Sequence, residues 1–278
     1  MSRAVRVAVM RAPELLASIL AAADGVEPLP SLAASDAALG GWSRPSKMVG
    51  LSWGWSRDSC ATLQRGPGPD DVCADCYASR GRAALPVPQS ALARRLAVVR
   101  QASVALRAGD PRPAARVAHA LAVGVRRGGW IRYGWCGDPD HRDPAAHVAL
   151  GVAGYLLGVS QALQLGTSPA AVWWSIRDGA AVRAWSEVAE DLGSAVDGLV
   201  VRVSLRRIDP APRSVAAAVR VGLPVAVVAT SPPSAVASAY TDAHLCPATW
   251  SGAHSCQAAG CRSCWQASAP VVVYRRHR

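Results

Sequence analysis

The second half of the chain alternates between short apolar runs and helix-like stretches. The apolar runs cover residues 130–135, 171–176, 198–205 and 223–229, and a last one covers 271–274. Helical patterns lie between these runs. One begins near Pro144, and two others cover 180–192 and 212–220. This alternation predicts a parallel sheet covered by helices. Four or five such units predict an α/β fold, either a full or partial (β/α) barrel or a doubly wound sheet, with ligands at the carboxyl ends of the strands.

The first half is organised differently. Helical spacing predicts helices over 12–23, 90–107 and about 114–127, and the stretch 35–82 reads as loop. We therefore predict an N-terminal helix and linker (1–45), a barrel-like core that holds a Cys-rich loop (46–235), and a Cys-rich C-terminal segment (236–278).

Composition limits the class of protein and its partners. The chain has 278 residues, of which 51% are hydrophobic, so it is a globular protein rather than a disordered tail. Its formal net charge is +11, and Lys47 is the only lysine. An arginine surplus of this kind, also seen along 92–107, is compatible with a DNA, RNA or other polyanionic partner, or with a merely solvated surface.

Two stretches bear on the compartment. Residues 1–11 are basic but lack a continuous apolar region with a cleavage site, so we predict no signal peptide and a cytoplasmic, reducing location. No charged residue occurs between Pro144 and Ile176. Glycines and the polar residues Ser160, Gln161 and Gln164 interrupt this stretch, so we predict a buried helix rather than a membrane span.

The cysteines are sorted into two groups. Seven of the eight fall into the patterns Cys60-x12-Cys73-x2-Cys76 and Cys246-x9-Cys256-x4-Cys261-x2-Cys264. A Cys-x2-Cys hairpin places two sulfurs within reach of one metal ion or one edge of a cluster. We therefore predict that all seven are ligands of metal ions or iron–sulfur clusters.

The first group has the number of thiolates that leaves one iron of a [4Fe–4S] cluster open. An open iron is the hallmark of radical S-adenosylmethionine (radical SAM) chemistry, in which the cofactor binds there. The usual radical SAM spacing is Cys-x3-Cys-x2-Cys. The second half of this group, Cys73-x2-Cys76 followed by Tyr77-Ala78, fits that spacing, whereas twelve residues rather than three separate Cys60 from Cys73. The alternative is that Cys73 and Cys76 form one hairpin of a structural zinc site.

The second group is a closed set of four thiols, which suits a structural or electron-transferring centre, and its spacing does not separate zinc from a second cluster. A further alternative joins the two hairpins, Cys73 and Cys76 with Cys261 and Cys264, into one zinc site. That arrangement would leave three grouped cysteines unused, so two sites are favoured.

Several residues near predicted strand ends are candidates for the pocket. Cys136 and Asp138 follow one strand, and Ser175 and Arg177 end another; an arginine there could bind a carboxylate or phosphate. We assign Cys136, Asp138 and Arg177 as candidate catalytic residues, and Ser175 and Tyr77 as cofactor-binding. A lone buried cysteine more often serves packing, and a surface ion pair would explain the arginine. A further loop could bind a divalent cation through Asp138, Asp140, His141 and Asp143.

These landmarks together resemble Cys-rich phage and plasmid proteins of the "gene product eighty-eight" type. The similar segments are Ser46-Lys47, Gly50 to Trp53, the first cysteine group through Ala78, Arg132 to Asp138, Trp185, and Cys246-Pro247 through Trp265. They follow in the same order over roughly residues 46–277. The resemblance implies a metal- or cluster-binding barrel of mobile-element origin, distantly related to radical SAM barrels, and it implies no particular reaction.

Two hypotheses follow. The first is an iron–sulfur protein with one or two [4Fe–4S] clusters that binds S-adenosylmethionine and acts as a radical-SAM-like enzyme on nucleic acid or another polyanion. The second is a zinc-stabilised, non-enzymatic protein that binds DNA or RNA without crossing a membrane.

Overall fold

The computed structural model describes residues 10–42, 50–71, 73–74, 85–134, 137–205, 207–240, 242–251, 253 and 258–276. Its helices are α1 (Ala12–Ala23), α2 (Leu32–Leu39), α3 (Ala61–Gln64), α4 (Pro86–Arg107), α5 (Arg112–Arg126), α6 (Pro144–Gln164), α7 (Gly179–Leu192), α8 (Pro212–Arg220), α9 (Pro233–Ala239) and α10 (Pro247–Trp250). Short 3₁₀ turns cover Arg57–Ser59, Gly193–Val196 and Ser263–Trp265.

Seven parallel strands form a single sheet. They are β1 (Leu51–Trp53), β2 (Trp130–Tyr133), β3 (Ala171–Ile176), β4 (Leu199–Ser204), β5 (Val225–Ala229), β6 (Ala243–Leu245) and β7 (Val271–Arg275), in the spatial order β1-β2-β3-β4-β5-β7-β6. Every pairing is parallel. The predicted α/β class is confirmed. Within the described part of the chain β1 and β6 are the two edges, so the sheet is open and a full barrel is not formed.

One face of the sheet is covered by helices. Paired residues of neighbouring strands point to the same face, and Ile131, Val172 and Leu199 are linked in this way. These side chains belong to the main core cluster, together with buried residues of α1 and α4 to α7. The register continues to Val225 and Val271, which pack with buried residues of α8 and α9. Helices α6 to α9 therefore lie on one side, whereas a doubly wound sheet would carry helices on both.

Helices α5 and α6 pack closely because α6 carries glycines at the interface. A Cβ atom on Gly154 would lie 2.5 Å from Cβ of Leu121, and one on Gly158 would overlap Val125. α6 is long and apolar enough to cross a membrane by length and composition, yet 67% of its most apolar window is buried inside the fold. This burial is what we expect of a core helix, in line with the sequence prediction.

The opposite face, which we call the Trp173 face, is covered by the C-terminal segment. Trp173 and Val272 form a small buried cluster there with Cys246, Cys264 and Trp265. Trp265 lies against Trp173 with ring centroids 5.5 Å apart, and its Nε1 donates to the carbonyl oxygen of Ile131 at 2.8 Å. Residues from 236 onward thus supply two strands of the sheet as well as the cover of this face.

Candidate metal and cofactor sites

The first thiol group lies at the carboxyl ends of the first three strands. Cys60 and Cys73 are in the connection that follows β1, and both are buried. The backbone N–H of Asp138, just beyond β2, donates to Sγ of Cys60 at 3.2 Å. Nη1 of Arg177, just beyond β3, donates to Sγ of Cys73 at 3.4 Å. Loops that follow adjacent parallel strands meet at one edge of a sheet, which brings together residues far apart in sequence.

Asp138 holds this edge together. Its carboxylate accepts a hydrogen bond from the backbone N–H of Arg177 at 2.8 Å, and its carbonyl oxygen accepts one from Nε1 of Trp55. The residue is only 2% exposed. These bonds show that Asp138 positions Arg177 and Cys60, and its catalytic role stays a prediction.

Burial keeps both thiols protonated in the absence of a cation. Burial, reinforced by the negative charge of Asp138, raises the pKa of Cys60 to about 12, while Arg177 acts in the opposite direction. Burial likewise raises the pKa of Cys73 to about 11, again opposed by Arg177. A bound cation would favour the thiolate form of both residues, because ligation releases the thiol proton.

Ser175 lies near the carboxyl end of β3. It lies on the Trp173 face of β3, is buried, and its hydroxyl is 2.7 Å from that of Ser204 on β4. The other predicted members of this site, Cys76, Tyr77 and Cys136, lie outside the described residues.

The carboxylates of the loop before α6 are engaged by arginines of α4. Arg100 donates to both carboxylate oxygens of Asp140, at 2.8 and 3.0 Å. Arg107 does the same to Asp143, at 2.7 and 2.8 Å, and Asp143 also caps α6. His141 contacts the carbonyl oxygen of Ser59. The loop that we predicted as a divalent-cation site is therefore a set of ion pairs that fixes α4 against the start of α6.

The same contacts change the interpretation of the arginine-rich helix. Arg95 is buried, with Nη1 donating to the carbonyl oxygen of Gly54, and Arg100 and Arg107 are committed to their carboxylates. Helix α4 carries four arginines, and of these only Arg94 is exposed. The predicted nucleic-acid partner thus depends on the net charge of the chain rather than on this helix.

The second thiol group lines a small cavity on the Trp173 face. Cys246, Cys261 and Cys264 contribute to its wall, and so does His244, which the sequence analysis missed. Nε2 of His244 lies 3.2 Å from Sγ of Cys261. The signal that could have revealed it is its position two residues before Cys246, since alternate residues of an extended strand share a face. Cys256 lies outside the described residues.

Buried and half-buried polar side chains lie beside this cavity. The hydroxyl of Tyr274 is 2.8 Å from Sγ of Cys264. Arg202 is fully buried and donates four hydrogen bonds to carbonyl oxygens of the turn that carries Cys264. The guanidinium of Arg132 stacks 4.3 Å from the ring centroid of Trp173. Burial raises the pKa of the Cys264 thiol to about 11, and both arginines act to lower it.

The two groups occupy different parts of the sheet. The first is at the strand ends, whereas the second packs through Trp265 against Trp130 and Trp173, toward the amino halves of β2 and β3. The C-terminal segment thus covers a face of the sheet rather than its carboxyl edge. Among the described residues, no three His, Cys, Asp or Glu side chains are already arranged around one metal position. Both groups have a predicted ligand, Cys76 or Cys256, outside those residues.

Comparison with known proteins assigns no family. No family model, no curated protein and no solved structure matches this chain.

Proposed function

We propose that this chain is an iron–sulfur protein, in which Cys60, Cys73 and Cys76 hold a [4Fe–4S] cluster at the carboxyl ends of β1 to β3 on a partial (β/α) barrel. The observation that carries the proposal is the approach of two buried thiols, each of which accepts a hydrogen bond from a residue that follows a different strand. The C-terminal thiols form a second, structural centre in this proposal.

The residues present fit a cluster. Hydrogen bonds from Asp138 and Arg177 to the sulfurs of Cys60 and Cys73 favour the thiolate form, as ligands of a cluster require. Such bonds to the sulfurs are also among the factors that set the reduction potential of a cluster. Cys76 supplies the third thiolate, three residues after Cys73.

Three thiolates leave one iron open, and a cluster of this kind, when bound with S-adenosylmethionine, supplies an electron for reductive cleavage of the cofactor. The chain itself would then bind and orient the cofactor. Arg177 offers a guanidinium for a carboxylate, and Ser175 offers a hydroxyl at the same strand end. Trp55, which is fully buried beside Asp138, excludes water from the base of this region.

The cluster is tested by anaerobic purification or reconstitution, followed by iron and sulfide analysis. We expect four iron and four sulfide per chain at this site, a brown protein, and an electron paramagnetic resonance signal after reduction with dithionite. Cys60→Ser and Cys73→Ser should lose that signal, whereas Thr62→Ala, a buried change in the same loop, should retain it. A colourless protein that holds only zinc after reconstitution would disprove the proposal.

The enzymatic part has its own test. Reduced protein incubated with S-adenosylmethionine should release 5′-deoxyadenosine and methionine, and Arg177→Gln should raise the concentration of S-adenosylmethionine needed. A cluster-loaded protein that releases neither product, with or without DNA or RNA present, would indicate a non-radical role for the cluster.

The substrate class in this proposal is nucleic acid or another polyanion, and it is supported by the net charge of +11. If this is correct, the logarithm of the affinity for DNA or RNA should fall linearly with the logarithm of the salt concentration. Gel shifts that show no binding at low salt would remove nucleic acid from the candidates.

A further inference from the structure

We infer that the second centre is a mononuclear, zinc-type site in which His244 is a ligand together with Cys246, Cys261 and Cys264. This inference extends the proposed function, which requires only that the C-terminal thiols form a structural centre. The sequence pattern instead favoured four cysteines, with Cys256 as the fourth ligand and a cluster as one of the possible occupants.

The position of His244 on β6 directs its ring to the cavity. The residue pairs with Val272 of β7, whose side chain is in the small cluster on the Trp173 face, so His244 faces the same way. Cys246 lies two residues later and lines the same cavity. A histidine and a cysteine of one edge strand thus approach Cys261 and Cys264 from across the cavity.

The size of the cavity selects a single ion. Its volume is about 10 Å³, which is about that of one water-sized sphere. A [4Fe–4S] core contains eight atoms and is too large for this volume. A tetrahedral zinc ion bonds nitrogen at about 2.0–2.1 Å and sulfur at about 2.3 Å, which places a nitrogen and a sulfur ligand roughly 3.5 Å apart. The observed separation of 3.2 Å between His244 Nε2 and Cys261 Sγ is close to that edge.

The charges around the cavity suit an anionic centre. Three thiolates and one divalent ion carry a net negative charge. Arg202 is fully buried, and within the described part of the chain it donates four hydrogen bonds, all to neutral carbonyl oxygens. Arg132 lies on the same face, with its guanidinium 4.3 Å from the ring centroid of Trp173. A buried guanidinium without a carboxylate among its hydrogen-bond partners is stabilised by a nearby anion, and a thiolate-bound ion supplies one.

Tyr274 completes the surroundings of the site. Its buried hydroxyl, 2.8 Å from Sγ of Cys264, can donate to the thiolate and fix its direction. Partners of this kind orient the ligands of a metal and typically change its affinity about 10–100-fold. Binding of the ion requires the four side chains to turn toward one point, because no three of them already surround one metal position in the described residues.

The inference is tested on the full chain in which Cys60, Cys73 and Cys76 are all serine, so that the first site does not contribute metal. We expect a single zinc ion per chain, which Co²⁺ replaces with visible bands typical of three sulfur ligands and one nitrogen ligand. His244→Ala should lower the affinity for zinc at least about tenfold and change the Co²⁺ spectrum. Cys256→Ser and the exposed change Ser251→Ala should leave the affinity for zinc and the Co²⁺ spectrum unchanged.

His244→Cys keeps the inference testable if the alanine variant does not fold, because it replaces one zinc ligand by another. It should retain the metal and shift the Co²⁺ spectrum to the four-sulfur type. The inference is wrong if Cys256→Ser rather than His244→Ala alters the Co²⁺ spectrum, or if the site takes up iron and sulfide. In both cases the proposed first cluster would be unaffected. A C-terminal segment that binds neither zinc, Co²⁺ nor iron would also overturn the structural centre assumed above.

Discussion

Arg202 gives the sharpest test of how the C-terminal segment is held on the sheet. The side chain rises from β4 and is fully buried. It donates to the carbonyl oxygens of Cys264 at 3.0 Å, Ala269 at 2.8 Å, Ser263 at 2.6 Å and Gln266 at 2.7 Å. A single guanidinium therefore fixes the turn that carries Trp265 and one thiol of the second group. We expect Arg202→Met to free this turn while nearly conserving side-chain volume.

The size of the effect follows from two opposing contributions. A hydrogen bond from a charged group contributes about 1.5–3 kcal/mol, so four of them amount to roughly 6–12 kcal/mol before any correction. Removal of the guanidinium also relieves the penalty of several kcal/mol for keeping a charge buried. Carbonyl oxygens left without donors would partly regain hydrogen bonds with water. We therefore expect the free energy of unfolding to fall by about 3–5 kcal/mol in Arg202→Met.

Urea unfolding of the metal-loaded protein measures this difference. Arg202→Lys keeps the charge but has no planar fork of donors, so we expect an intermediate loss. Arg94→Met removes an exposed arginine and should change the free energy of unfolding by less than about 0.5 kcal/mol. Equal urea midpoints for Arg202→Met and Arg94→Met would refute the reasoning, because they would show that the turn is held by other contacts.

Three further outcomes are expected. Gly154→Ala should destabilise the protein by about 1–3 kcal/mol in thermal unfolding, because the added methyl group clashes with α5. Gly68→Ala is the control and should show no such loss, because a methyl group there meets open space. Burial lowers the pKa of His147 to about 4, below its ordinary 6.5, so the unfolded chain takes up the proton first. The free energy of unfolding should thus fall by about 3 kcal/mol as the pH drops from about 6.5 to about 4. Over the same pH range the urea midpoint of His147→Gln should fall less than that of the unchanged protein. Limited proteolysis should cut residues 246–264 faster in Cys264→Ala than in Cys136→Ala, and equal rates would show that the ligands are misassigned.

The long elements could be predicted from the sequence because each carries its own signal. The bounds of β3 (171–176) and α8 (212–220) agree with those predicted, since an apolar run and an N-terminal proline mark them locally. The strands β1 and β6 were missed, because three residues are too few to show a period. Helix α2 lies partly in the stretch that we predicted as loop, and its low amphipathicity explains the error.

The thiol groups could be predicted because cysteine spacing is a local pattern, but their surroundings could not. His244 reaches the second group through the pairing of β6 with β7, which in turn lies between β5 and β6 in the sheet. This order reverses the sequence order of the last two strands. Arg202 and Tyr274 looked like ordinary strand residues, and only the register shows that they face the thiols.

The pattern of charged residues along the sequence was a poor guide to the charge of the surface. A helix with several arginines predicts a basic surface when its own sequence is considered alone. Asp140 and Asp143 lie 40 and 36 residues from Arg100 and Arg107 and form ion pairs with them. Ion pairs of this sequence separation depend on how α4 packs beside the loop before α6, which no local pattern encodes.

The two thiol groups depend on the fold in opposite ways. Cys60 and Cys73 accept hydrogen bonds from residues just beyond β2 and β3, and side chains of both strands belong to the main core. The second group has only the small cluster around Trp173 and Trp265 beneath it. Arg202 holds the turn above that cluster through four hydrogen bonds, and the proposed ion would add its binding free energy to the stability of the segment. We therefore expect loss of the proposed ion to destabilise the C-terminal segment more than loss of the proposed cluster destabilises the strand ends, as suits a structural metal and a reactive cofactor respectively.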